Sequence, residues 1–176
     1  LNVDGQSGSE FSDIEIMARD SIYVFIECNI PESAGAEPSL TEDKLEFVTN
    51  TVTQDVVCQA WGQNVTRLRG VTIEEDTRFT AERPYVIFDS LKVAAGATLT
   101  VDPGAKLLFH DKALMTVDGT LHAIGTPDKK IDMRGDRLDN VLPDVEYDIM
   151  SGQWRGVNIT AESYDNRLEY VDMRST

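Results

Sequence analysis

The sequence predicts an all-β protein in two parts, a partial antiparallel β-sandwich followed by the first coils of a parallel β-helix. Three observations carry the prediction. Apolar residues alternate along strand-length runs, with no helix-length pattern beside them. Gly, Pro, Asp and Asn punctuate those runs. From residue 85 onward the runs also repeat at a spacing of 22 residues.

Residues 1 to 70 read as the sandwich. In SIYVFIECNI, residues 21 to 30, period-two spacing places Ile22, Val24, Ile26, Cys28 and Ile30 on one face. A loop, PESAGAEPS, follows. Leu45 and Phe47 then alternate in KLEFV, Thr49-Asn50-Thr51 reads as a turn, and Val56, Cys58 and Ala60 share a side of the next strand. Four or so strands are too few to close a sandwich, so its first strands are expected elsewhere. Cys28 and Cys58 fall on separate strands. Either they bridge two sheets or they pack as free thiols, and two cysteines alone fix neither.

Residues 71 to 84 are charged and irregular and read as a linker or cap. From residue 85 to 176 the texture is that of a β-helix. In AGATLTVDPGAKLLF, residues 95 to 109, turns at Gly96 and Pro103-Gly104 delimit runs too short for helices. Shifting residues 85 to 109 by 22 places nine of fifteen apolar residues on apolar partners, against about six by chance. Ile87 falls on Phe109, Leu91 on Ala113, Val93 on Met115, Leu99 on Leu121, Val101 on Ala123 and Phe109 on Ile131. That period suits three short strands per coil, each coil burying its inward side chains on the next. The register breaks in a polar insertion, residues 134 to 152, and resumes in QWRGVNIT and NRLEYVDM. The chain stops in strand-like sequence, so further coils are expected in a longer parent.

Sixteen Lys and Arg against 31 Asp and Glu give a net charge of −15. Residues 1 to 70 hold 12 acids and 4 bases, so both parts are acidic and neither offers a basic track for a phosphate backbone. No nucleic-acid partner is expected. No apolar run approaches the roughly 20 residues of a transmembrane helix.

Residues 80 to 134, opening TAERPYVIFDSLKVAAGATLTVDPGAKLLF, together with RGDRLDN, QWRGVNI and NRLEYVDM, resemble a known family. These are the uncharacterised secreted or lipid-anchored right-handed β-helix proteins of gut Bacteroidetes. Their β-helix follows an immunoglobulin-like domain, whose later strands DSIYVFIECNIPE and VTQDVVCQAWGQNV resemble. The resemblance implies export, attachment to the outer membrane or cell surface through a lipid anchor outside this chain, and a longer parent. It brings no catalytic residues.

The residues themselves offer three chemistries. His110 and His122, with Asp111 and Asp118 nearby, lack the spacing of a metal site and read as surface residues. The acidic insertion supplies Asp136, Asp139 and Asp144 as candidate Ca²⁺ ligands beside Arg134 and Arg137. A β-helix polysaccharide lyase or glycosidase needs converging carboxylates, whereas a solvated loop pairs its own charges. Among the aromatics Trp61, Trp154, Tyr147 and Tyr164, the pair Tyr147 and Trp154 is the candidate for stacking on a sugar. The expectation is a non-catalytic, extracytoplasmic β-helix protein that binds a glycan or a partner protein and needs no cofactor. A polysaccharide-active enzyme and a structural stalk are the alternatives. Open helix or sandwich edges offer a route to self-association.

Overall fold

The computed structural model describes residues 1–30, 38–142 and 144–176. Among the described residues it is all-β apart from one 3₁₀ turn, and it divides into two compact units, one ending at Gly62 and one running from Gln63 to Thr176. No helix among the described residues is long and apolar enough to cross a membrane.

The first unit contains β1 (Asn2–Val3), β2 (Gln6–Ser7), β3 (Val24–Phe25), β4 (Ser39–Thr49) and β5 (Val52–Gly62). Asp4 and Gly5, both at positive φ, reverse the chain after two residues of β1. Among the described residues β3 pairs only with β1, and the ten-residue strand expected over 21 to 30 shrinks to two residues. Strands β4 and β5 form a long antiparallel hairpin, with Thr49 opposite Val52 and Ser39 opposite Gly62. Asn50 and Thr51 both take positive φ, the geometry of the two-residue turn whose twist matches a hairpin. Among the described residues the expected sandwich is not shown. The hairpin is a two-stranded sheet, and Val48, Val52, Val56, Val57 and Trp61 on it are exposed. Cys28 and Cys58 are free thiols. The expected PESAGAEPS loop lies largely outside the described residues.

The second unit is a parallel β-solenoid. Its strands are β6 (Thr66–Ile73), β7 (Thr77–Phe79), β8 (Tyr85–Val93), β9 (Thr98–Val101), β10 (Lys106–Phe109), β11 (Leu114–Val117), β12 (Thr120–Ile124) and β13 (Ile131–Gly135), followed by β16 (Val157–Ile159), β17 (Arg167–Glu169) and β18 (Val171–Met173). Between them, β14 (Asn140–Leu142), β15 (Val145–Glu146) and the 3₁₀ turn Tyr147–Ile149 make up the insertion. Each coil lays its strands against the same strands of the next in parallel register. The solenoid begins one coil earlier than the sequence suggests. Residues 71 to 84, read as a linker, contain the end of β6 and all of β7, which pair with β8 and β9. The Phe79 and Tyr85 rings stack at 4.1 Å, and the Thr80 N–H donates to the Tyr85 hydroxyl, closing that coil despite its charged corners.

The interior is a set of side-chain columns. Leu91, Met115 and Val157 line up, as do Val93, Val117 and Ile159, and Phe79, Val101, Ala123 and Leu168. Ile87 stands on Phe109, and Leu99 on Leu121, as the 22-residue repeat requires. Elsewhere the repeat is corrected. Leu91 meets Met115 and Val93 meets Val117, two residues further along than a uniform period places them. Phe109 pairs with Gly135 instead of Ile131. Strand pairing fixes each face separately, while the corners between strands vary in length. Gly119 sits at a corner where an added Cβ would strike the carbonyl oxygens of Ala94 and Ala97, so this close approach of coils needs glycine.

Candidate functional site

The feature that interrupts the solenoid is the insertion. The Asp136 N–H donates to the Phe109 carbonyl, so the chain follows the coil for one residue before leaving it. That places Asp136 on the corner column Arg69, Phe88, His110. The Arg69 guanidinium lies 4.6 Å from the Phe88 ring centre, and that ring lies 4.8 Å from His110. His110 Nδ1 is 2.7 Å from Asp136 Oδ2. The next residue, Arg137, lies over the Tyr147 ring at 4.0 Å and grips Asp139 with Nε and Nη2. This pair raises the arginine pKa and holds the Asp139 carboxyl below its usual value, the hydrogen bonds from Arg137 being the main cause. The short β14–β15 hairpin is thereby tied at its root.

Asp148 is the anchor. It is 6% exposed, and its Oδ2 accepts from Arg134 Nη1 at 3.0 Å and from Arg174 Nη1 at 2.6 Å. The two arginines belong to adjacent coils, on and just after the paired strands β13 and β18. Both also pair with Asp132, Arg134 Nε at 3.3 Å and Arg174 Nη2 at 3.4 Å. Ser175 Oγ donates to the Asp148 carbonyl, and Gln153 Nε2 to the carbonyls of Tyr147 and Met150. Burying a carboxylate is costly unless such donors satisfy it.

Trp154 completes the return. Phe109 faces Gly135, which has no side chain to cover it, and the Trp154 ring fills the place, stacked on Phe109 at 4.0 Å and 9°. An added Cβ at Gly135 would strike Gln153 Oε1, so this position needs glycine to admit the returning chain. Trp154 Nε1 donates to the Arg174 carbonyl at 2.7 Å.

These contacts revise the candidate residues. Trp154 is 2% exposed and shows no face to a sugar, and Tyr147 is half-buried under Arg137. The two do not form a stacking platform. The candidate Ca²⁺ ligands do not converge either: Asp136 faces His110, Asp139 faces Arg137, and Asp144 is exposed. Among the described residues no group of three or more His, Cys, Asp or Glu side chains is placed to hold a metal. His122 lies away from His110, in β12, with Nε2 at 3.1 Å from the Asp165 carbonyl. Asp118 binds Lys92 and Thr160, and Asp111 stands beside Lys112.

What the insertion does present is apolar. Leu138, Val141, Leu142, Ile149 and Met150 are all exposed on it, beside Asp144 and Glu146. Sequence reasoning weighed the charges of this loop and passed over these residues, whose spacing matches neither a strand nor a helix. Arg174 was missed as well, because no local pattern ties it to Asp148, 26 positions away.

The chain is similar to the protein bark beetle of Drosophila melanogaster, with 36% identity over 67 residues. The match covers 38% of this chain and 2% of the fly protein. No protein-family model matches the chain, and no solved structure matches it.

Proposed function

We propose that this is a non-catalytic, extracytoplasmic β-helix protein that presents the insertion to a partner protein. The observation that carries the reading is the contrast within one loop: a base pinned by Asp148 between two arginines, and a rim of five exposed apolar side chains. Clustered exposed apolar residues bordered by charge are a common mark of protein interaction sites. A rigid base lowers the ordering cost of binding. The carboxylates here are occupied by basic side chains, Asp132 and Asp148 sharing Arg134 and Arg174 and Asp139 holding Arg137, which suits this reading better than a glycosidase, whose two carboxylates must face each other across an open bond-cleaving site. Export, the right-handed winding usual for parallel crossovers, surface attachment and an immunoglobulin-like origin for the first unit belong to the same proposal. They rest on the resemblance to the Bacteroidetes proteins.

A glycan ligand is the second reading. It is favoured by Tyr164, which is 69% exposed. A photo-crosslinking amino acid at Leu142, introduced in the source cell, should capture one defined protein, and Leu142→Ser with Ile149→Ser should abolish the capture. Absence of any specific adduct, together with Tyr164-dependent signal on a glycan array, would transfer the function to the glycan.

A further inference from the structure

The carboxylates of the insertion fall into two sets. Asp136, Asp139 and Asp148 are occupied within the chain, by His110, by Arg137, and by Arg134 with Arg174. Asp144 and Glu146 are exposed, and among the described residues neither side chain meets a cation. These two adjoin the apolar tip of the β14–β15 hairpin. Leu142 pairs with Val145 across it, and Asp144 and Glu146 are the sequence neighbours of Val145. Val141 and Leu142 beside them are 43% and 60% exposed.

We infer that the partner offers this tip a segment in which apolar side chains stand beside lysine or arginine. The inference rests on the partner-protein reading and adds the partner's chemistry. The apolar side chains supply contact area, and the two unoccupied carboxylates supply sites for the partner's charges. An uncharged partner would cover Asp144 and Glu146 and leave them desolvated without a counter-charge, which is costly. The other three acids of the loop do not compete for the incoming cations, because each already holds its own. Long-range charge points the same way. The field of a chain at −15 draws a cationic segment in and opposes a second copy, an anionic lipid surface or an acidic glycan.

Selection of short random peptides displayed on phage against the immobilised 176-residue chain tests this. Peptides that also bind the chain carrying Leu142→Ser with Ile149→Ser are discarded first, which leaves binders that need the rim. The surviving set should be net positive, with apolar residues between the basic ones. For the tightest such peptide, Asp144→Asn with Glu146→Gln should weaken binding about 3- to 30-fold, the worth of two exposed ion pairs. Asp144→Lys with Glu146→Lys should turn the selection toward acidic peptides. Both positions are exposed, so these variants should keep the wild-type circular dichroism spectrum. Rim-dependent peptides that are neutral or acidic, or that bind the Asn and Gln variant as well as wild type, overturn the inference and leave the partner-protein reading standing. Recovery of no rim-dependent peptide overturns it too, and crosslinking at Leu142 then decides separately whether a protein binds there.

Discussion

Removing the indole at position 154 perturbs the junction where the insertion rejoins the solenoid. In Trp154→Ala the Phe109 ring loses its stacked neighbour, and Gly135 has no side chain to replace it. Truncating a buried aromatic to alanine costs about 3–5 kcal/mol. The Arg174 carbonyl also loses its donor, which adds about 1 kcal/mol if water cannot reach it. The site lies beside the last coil, which can relax, so the total expected is about 3–4 kcal/mol. For a chain of this size that lowers the melting temperature by about 10 °C. Trp154→Phe keeps a ring on Phe109 and loses only the N–H, so it should cost about 1–2 kcal/mol. Urea unfolding followed by circular dichroism measures both. Hydrogen exchange should show the loss concentrated in residues 153 to 176. A Trp154→Ala cost below about 1 kcal/mol, or equal costs for the two variants, would refute the stacked, hydrogen-bonded indole.

Other outcomes follow from the same region. Asp148→Asn leaves Arg134 and Arg174 without their shared carboxylate. It should cost about 2–3 kcal/mol, less than a fully buried pair because Arg174 reaches solvent, and hydrogen exchange across residues 136 to 152 should accelerate. Gly135→Ala should destabilise by about 1–3 kcal/mol through collision with Gln153, and chemical denaturation of the double variant with Gln153→Ala should show part of that loss restored. Leu142→Ser, at an exposed site, should change stability by less than about 0.5 kcal/mol in the same assay. Acid should loosen two corners. Asp118 is held below its usual pKa first by the Lys92 ammonium and then by the Thr160 hydroxyl, and Asp139 by Arg137. Both contributions are present above the unfolded-state value and disappear as pH falls through the lower folded values. NMR titration of the two carboxyls should find both midpoints below about 3.9, and a midpoint above it would remove the ion pair concerned.

How much of this was legible in the sequence depends on what sets each feature. Alternation of buried and exposed residues is local, so the strand runs from Tyr85 to Met133 could be read directly. Stacking of Ile87 on Phe109 and Leu99 on Leu121 followed from the repeat. Phe109 above Gly135 did not, because corner lengths differ from face to face and a single period averages over them. The first coil was hidden because charged residues at its corners, such as Glu74, Glu75 and Glu82, resemble a linker. In the first unit the alternation of burial holds only from Ile22 to Phe25, and Ile26 and Cys28 are exposed. A strand extends only where a partner lies beside it, and β1 offers two residues. At the insertion, sequence showed the acids but not their partners. Asp148 is held by side chains 14 residues before it and 26 after it, a meeting that only the coil stacking arranges.

A cross-coil disulfide spanning the insertion asks most directly whether the chain leaves the solenoid and returns in register. Thr116 and Asn158 are direct partners on β11 and β16, and neighbouring parallel strands lie about 4.8 Å apart, within reach of a disulfide. With Cys28 and Cys58 replaced by serine, Thr116→Cys with Asn158→Cys should bridge almost completely on mild oxidation of the folded protein, as mapped by mass spectrometry. Thr116→Cys paired with a cysteine at Val157 or Ile159, whose side chains face the other way, should not. A bridge that fails to form at 158, or forms equally at 157 and 159, would contradict the stacked-coil architecture.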